Sequence, residues 1–88
     1  MFKVTLAWYV ELDGVESTKL SITIDMPYIP TKDTIIKIGP ASMIVDYIMY
    51  FAGDQSTYIR CVSCSFYDKN LYSIFLEKLI DHGYREHE

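Results

Sequence analysis

Residues 2–12 read FKVTLAWYVEL, a stretch in which every second residue is large and apolar and the residues between are on the whole more polar. A β-strand turns successive side chains to opposite faces, so this alternation gives one apolar face and one wetter face. A helix would spread the same apolar residues around its axis. The stretch therefore predicts a β-strand, and Trp8 near its middle marks the expected centre of a core.

A second alternating run follows a turn and predicts a long antiparallel hairpin. Asp13 and Gly14 mark the turn, the loop is expected to continue to Thr18, and the second strand covers residues 19–26. Short loops that contain glycine and join two alternating runs are typical of hairpins. Both strands hold their apolar residues in phase, so one face of the hairpin needs a cover.

The rest of the chain predicts three more strands and one helix. After a stiff loop that contains Pro27 and Pro30, strands are expected at residues 34–38, 43–51 and 57–66. Asp68 is a good N-cap for a helix over residues 69–82, and Gly83 follows as a left-handed stop. The helix carries one apolar stripe, which is formed by Leu71, Tyr72, Phe75, Leu76 and Leu79.

The order of these elements predicts one α+β domain over residues 1–88. We expect a strongly bent antiparallel sheet of about five strands, close to a small half-open barrel, with the C-terminal helix packed on it. The fourth strand is expected to keep Met43, Val45, Tyr47, Met49 and Phe51 on one face, with Asp46 on the other. The residues expected to be buried together are Leu6, Trp8, Leu20, Ile22, Ile24, Phe75 and Leu79.

Charge and hydropathy restrict the classes of partner. Twelve acidic and eight basic residues among 88 give a net charge of −4. Direct nucleic-acid binding is therefore not expected, because attraction to phosphates needs a basic surface. No apolar run approaches the roughly 20 residues that cross a bilayer, and the N-terminus lacks the pattern of a signal peptide. We expect a cytoplasmic protein with no membrane contact and with reduced cysteines.

Two cysteines and two histidines have a spacing that superficially resembles a zinc finger. The pattern is Cys61-x2-Cys64-x17-His82-x4-His87. Gly83 ends the helix between the two histidines, and cysteines an odd number apart on an unbroken strand point to opposite faces. We interpret the cysteines as packing residues and expect no metal and no other cofactor.

No combination of residues in the sequence specifies catalysis, so the chain is not expected to be an enzyme. Each of the four glycines already has a use as a turn or a helix stop, which leaves none for a phosphate-binding loop. His87 lies near the chain end, where chains are usually mobile, and His82 has a common structural place at a helix C-terminus. Asp46 is interpreted as a solvated outward position.

Tyrosine is the distinctive residue of the composition, with eight copies against four Phe and one Trp. Tyr suits half-wet surfaces and interfaces, and the simpler interpretation is that a one-sided sheet uses these residues at its half-buried positions. A partner surface is the alternative. The residues that best fit a binding surface are Tyr9, Tyr28, Ile29, Tyr50, Tyr58 and Ile74.

The leading hypothesis is a non-enzymatic protein-interaction module, such as an inhibitor or antagonist that occupies a surface of a larger protein. The alternative is a small-ligand-binding domain with a pocket between sheet and helix. A hairpin of two long strands leaves a sheet edge open unless the sheet closes, and open edges attract further strands. We therefore also predict a homodimer.

Overall fold

The computed structural model describes residues 2–51, 53 and 56–87. These residues form one mixed β-sheet and one helix. The elements are β1 (Phe2–Leu12), β2 (Glu16–Met26), β3 (Ile35–Ile38), β4 (Ala41–Phe51), β5 (Ser56–Cys61), β6 (Cys64–Phe66), α1 (Lys69–His82) and β7 (Arg85–His87).

The first strand is the centre of the sheet and is paired on both sides. Along one side β2 runs antiparallel to it over its full length, from Phe2 opposite Met26 to Leu12 opposite Glu16. Along the other side β5 and then β6 run parallel to it. The order is β3-β4-β5-β1-β2-β7, with β6 beside β1. The prediction of an α+β fold with a bent, half-open sheet and a C-terminal helix is confirmed.

Three predictions about the strands were wrong in detail. The pairing of β1 with β5 and β6 is parallel, because the segment at residues 27–34 carries the chain from β2 to the far side of β1. The sheet has six strands along its path, with β6 as a seventh, rather than five. The expected fifth strand is interrupted at Val62 and Ser63, where the Val62 N–H donates to the Ile44 carbonyl oxygen at 2.9 Å.

The turn of the hairpin is tighter than the sequence suggested. It occupies only residues 13–15, so β2 begins at Glu16 and the predicted loop to Thr18 was too long. Gly14 has φ 66°, a left-handed conformation that glycine adopts without a steric penalty. The strand β7 was not predicted, because three residues are too few to show a period.

A β-bulge at Asp46 divides β4 into two parts. Val45 pairs with Cys61 and Tyr47 pairs with the next residue, Arg60, so Asp46 is the extra residue between them. Ala41, Met43 and Val45 are therefore buried, whereas Tyr47, Met49 and Phe51 turn to the opposite face. The prediction of one continuous apolar face along β4 was wrong.

The core lies between the sheet and the helix. Leu6, Trp8, Leu20 and Leu79 are buried as predicted. Three other predicted core residues are only partly buried and pack against its margin: Ile22, Ile24 and Phe75. The buried residues of the helix are Tyr72 and Leu79.

The ends of α1 form as the sequence predicted. The Asp68 side chain accepts a hydrogen bond from the Asn70 backbone N–H at 2.8 Å. Gly83 ends the helix with φ 115°, and its N–H donates to the Ile80 carbonyl oxygen. The cap and the stop together fix where α1 begins and ends.

Tyr84, directly after the helix, connects the helix to two strands. Its ring lies edge-on to Trp8, with the ring centroids 5.2 Å apart, and its hydroxyl donates to the Ile38 carbonyl oxygen at 2.7 Å. Only 3% of Tyr84 is exposed, and burial raises its pKa to about 12, with a further contribution from Cys61. Tyr84 thus holds the end of α1 against both β1 and β3.

Two leucines of α1 provide a matched test of the packing. Leu79 is fully buried and Leu71 is 56% exposed. Leu79→Ala should lower the free energy of unfolding by about 2–5 kcal/mol, because it leaves a cavity in the core. Leu71→Ala should change it by less than about 0.5 kcal/mol. Chemical denaturation of both variants measures this difference, and equal losses would contradict the observed orientation of the helix.

The buried hydroxyl of Tyr84 predicts an alkaline loss of stability. In the unfolded chain this group loses its proton near the ordinary tyrosine pKa of about 10, whereas in the folded chain it does so near 12. Its contribution is therefore complete below pH 10 and decreases as the pH rises through 12. Tyr84→Phe should flatten this part of the stability curve relative to the original chain, as measured by thermal melts between these pH values. Parallel curves of stability against pH for Tyr84→Phe and the original chain would contradict this contribution of Tyr84.

Candidate functional site

The side of the sheet opposite the helix is here called the open face. It is formed by Thr5, Ala7, Tyr9 and Glu11 of β1, since the alternate residues of β1 lie in the core with Leu79. The positions paired with these residues in the neighbouring strands lie on the same face. Lys19 of β2 is opposite Tyr9, and Tyr58 of β5 is beside Thr5.

Cations of the open face lie over its tyrosine rings. The Arg60 guanidinium carbon is 4.7 Å from the centroid of the Tyr9 ring. The Lys19 ammonium nitrogen is 5.9 Å from that of Tyr58. Such cation–π contacts hold long, flexible side chains against the sheet.

The open face has the opposite charge to the rest of the chain. Outside the Asp46 bulge, the described strands place two carboxylates there, Glu11 and Asp25. They place five of the eight basic residues on the same face, which are Lys3, Lys19, Lys37, Arg60 and Arg85. The rest of the sequence then has ten of the 12 acidic residues and three of the eight basic residues. Among the described residues, the open face is therefore a surface that is complementary to a negatively charged partner.

The second half of β4 is exposed on both faces and along its outer edge. All residues from Tyr47 to Phe51 are large and apolar, and each is between 36% and 54% exposed. On the outer side, the ladder with β3 ends at Ile44, and the last backbone bonds join Val45 to residues 33 and 34. From Asp46 to Phe51 no strand of the described chain pairs with that edge.

The predicted binding residues are only partly brought together. Tyr9 and Tyr58 share the open face, as their pairing shows. Tyr50, 54% exposed, lies in the neighbouring β4 but points to the side that carries the core. Tyr28 is exposed and Ile29 half-buried in the connection after β2, and Ile74 is exposed on the helix.

Four apolar residues of β4 were missed as surface residues: Tyr47, Ile48, Met49 and Phe51. The odd-numbered ones were expected on one apolar face of an unbroken strand, together with Met43 and Val45. The signal that could have revealed them is Asp46, since an acidic residue inside an apolar strand is a common position for an irregularity.

A groove at the β2–β7 border of the open face contains the most polar group of side chains. Its volume is about 440 Å³, and it is lined by Thr5, Ser21, Ile22, Thr23, Gly83, Arg85 and His87. The Ser21 hydroxyl is hydrogen-bonded to His87 Nε2, and the hydroxyls of Thr5 and Thr23 bond each other at 2.9 Å. His87 lies in a strand although it is near the chain end: it belongs to β7 and pairs with Lys19.

The contact between Ser21 and His87 does not by itself make a catalytic pair. A hydroxyl beside an imidazole is the first requirement of a serine nucleophile, but a further group must orient the ring through its other nitrogen. Among the described residues, no side chain bonds His87 Nδ1.

The cysteines lie on the core side of the sheet as free thiols. Cys61 is buried and Cys64 half-buried, on the two sides of the break at Val62–Ser63. Burial, together with a smaller effect of the nearby charge of Asp46, raises the pKa of Cys61 to about 11. Burial also raises the pKa of Cys64.

The two histidines have separate surroundings. The His82 ring lies against Gly39, where an added Cβ would come within 2.7 Å of it, and 6.0 Å from the Tyr84 ring. His87 lies in the groove with Ser21. No group of three or more potential metal ligands occurs in residues 2–51, 53 and 56–87.

Comparison with known protein families, with curated proteins and with solved structures finds no match to this chain. Among the described residues, the helix is too short and too polar to span a bilayer.

The surroundings of the cysteines predict slow alkylation and no zinc. With a pKa of about 11, Cys61 holds about one thiolate in a thousand molecules at pH 8, so iodoacetamide should modify Cys64 first. Mass spectrometry of the native protein should show this order, which denaturant should abolish, and a mass without bound zinc. Equal native rates would contradict the burial of Cys61, and a zinc adduct would contradict the interpretation of the cysteines as packing residues.

Proposed function

We propose that this protein is a non-enzymatic protein-interaction module that binds an extended segment of another protein at the edge of β4. The observation that supports the proposal is the exposed stretch Tyr47–Phe51, whose backbone edge and both faces are uncovered in the described chain. A strand laid along this edge would pair with backbone groups that β3 leaves open. Strand addition of this kind is a recurrent mode of peptide recognition.

The edge lacks the features by which proteins prevent unwanted pairing. Exposed edge strands are commonly protected by lysine, proline, a bulge or an inward-pointing charge. Between Tyr47 and Phe51 the sequence has no charge and no proline, and the bulge at Asp46 lies where β3 stops. An unprotected edge of this composition favours a surface that is covered when the protein functions.

A second copy of this chain would cover the edge incompletely. Two identical strands pair antiparallel about a twofold axis perpendicular to the sheet, which keeps the same face of both copies on the same side. Ile48 and Tyr50, on the side that carries the core, would then lie next to their own equivalents in solvent. A larger protein can add a strand and also cover Ile48 and Tyr50, so we favour a different protein as the partner.

The charges beside this edge indicate the partner's composition. Arg60 pairs with Tyr47, so it lies one strand in from the edge and on the open face. A segment with acidic residues on that face would gain from Arg60, whereas a basic segment would be repelled. By binding such a segment of a larger protein, a small domain can block it and so act as an inhibitor or antagonist. We place this interaction in the cytoplasm, in agreement with two free thiols.

Two isoleucines of β4 give a matched test of the proposal. Ile48 is 36% exposed beyond the bulge, whereas Ile44 is 44% exposed and pairs with β3. In a pull-down from native lysate with mass spectrometry, Ile48→Lys should lose the specific partner, because a charge is placed in the proposed contact. Ile44→Lys should retain it. Thermal melts check that both variants fold, and loss of the partner from both or from neither would contradict the proposed surface.

Light scattering at micromolar concentration separates the remaining alternatives. A mass near one chain of 10.2 kDa leaves the edge free for another protein. A dimer that Ile48→Lys dissociates would place a second copy at this edge and contradict a different protein as its occupant. A dimer that survives the substitution would use another surface and agree with the proposal.

A further inference from the structure

We infer that the groove between β2 and β7 binds a small organic oxyanion, a phosphate or a carboxylate. This site is separate from the β4 edge, since β7 and β4 are four strands apart in the sheet order. It also differs from the pocket between sheet and helix that the sequence suggested, because five of its seven described lining residues, Thr5, Ser21, Thr23, Arg85 and His87, lie on the open face. The inference is independent of the proposed protein partner.

The donors of the groove fit an anion. Three hydroxyls, one guanidinium and one imidazole line it. The Thr5–Thr23 and Ser21–His87 hydrogen bonds each use one donor proton, so the guanidinium and one group of each pair remain to donate to a ligand oxygen. Arg85 lies directly opposite Ser21 in the β2–β7 pairing, so its guanidinium and the Ser21 hydroxyl start from neighbouring positions. A guanidinium binds the two oxygens of a carboxylate or phosphate through parallel hydrogen bonds, which gives both strength and orientation.

None of the described residues that line the groove is Asp or Glu. Within the part of the chain that the structure describes, Arg85 forms no ion pair. A cation without a partner beside several hydroxyls favours an external anion over an internal salt bridge.

The hydroxyls of the groove are held in place before any ligand arrives. The Ser21 side chain, 8% exposed, is fixed by His87, and the hydroxyls of Thr5 and Thr23 fix each other across the two central strands. The paired strands β1 and β2 supply the three hydroxyls, whereas Arg85 and His87 are on the exposed strand β7 at the border. A preorganised set of donors loses less conformational entropy on binding.

The volume distinguishes a small organic anion from a bare ion. At about 440 Å³ the groove is within the usual range for small-molecule sites and exceeds what one phosphate group fills. Ile22 and the backbone at Gly83 provide the less polar part of the wall. The ligand would therefore carry an organic part next to its anionic group.

Titration with defined anions tests the site by amide chemical shifts in NMR spectra. Inorganic phosphate and succinate are the probes, added separately at constant ionic strength maintained with sodium chloride. Saturable shifts should concentrate at Thr5, Ser21, Thr23 and Arg85. Arg85→Gln should weaken binding at least about fivefold, and Thr23→Val, which keeps the shape of the side chain, by about threefold; each loss follows from one hydrogen-bonding group removed.

Lys37→Gln is the matched control, since it removes one open-face cation from β3, at the other end of the sheet. It should change the affinity by less than about twofold. Saturation by phosphate alone, by succinate alone or by both supports the inference and identifies the anionic group. Linear shifts with neither probe saturating, or equal losses from Arg85→Gln and Lys37→Gln, would overturn it, and thermal melts confirm that each variant is folded.

Discussion

The structure depends on β1, which needs a hydrogen-bonded strand along each edge and an apolar cover over one face. Its neighbour in sequence, β2, satisfies only one edge. The other edge is filled by β5 and β6 from the second half of the chain. An unpaired central strand would leave a full row of buried backbone groups unsatisfied, so this long-range pairing is obligatory. The parallel direction of β5, the long connection after β2 and the break at Val62–Ser63 all follow from it.

The exposed part of β4 lies at the lateral margin of the core. The helix packs on β1 and β6, beside the Val10–Leu12 end of β1. Ile48 pairs with Ile59, and Tyr50 pairs with Thr57, so both point to the core side of the sheet. Ile59 and Thr57 are buried there, whereas Ile48 is 36% and Tyr50 54% exposed. The cover of the core side therefore extends over β5 at this level but not over the outer strand β4.

Local features could be predicted from the sequence and long-range ones could not. The bounds of β1 and α1 follow from alternation, an N-cap and a stop, which are all encoded within a few residues. The bulge at Asp46 depends on the register with β5, and alternation alone cannot distinguish Val45 and Tyr47. For the same reason Tyr9 and Tyr58 could be selected as surface residues, but not their neighbour Tyr47. The groove requires β7, whose three residues gain their structure only from β2.

The net charge of the chain combines two regions of opposite sign, a basic open face and an acidic remainder, and the two proposed sites have the same relation to them. Both border the open face, so both lie in the field of its basic side chains. Four strand spacings separate β4 from β7, about 19 Å at ~4.8 Å each. That distance exceeds the Debye length of about 8 Å at physiological salt, so charge on one ligand is largely screened from the other. Coupling between the sites would then have to pass through the sheet itself. The backbone ladders of β5, β1 and β2 are continuous between them, so a change in twist, rather than a charge effect, is the physical route by which one site could influence the other.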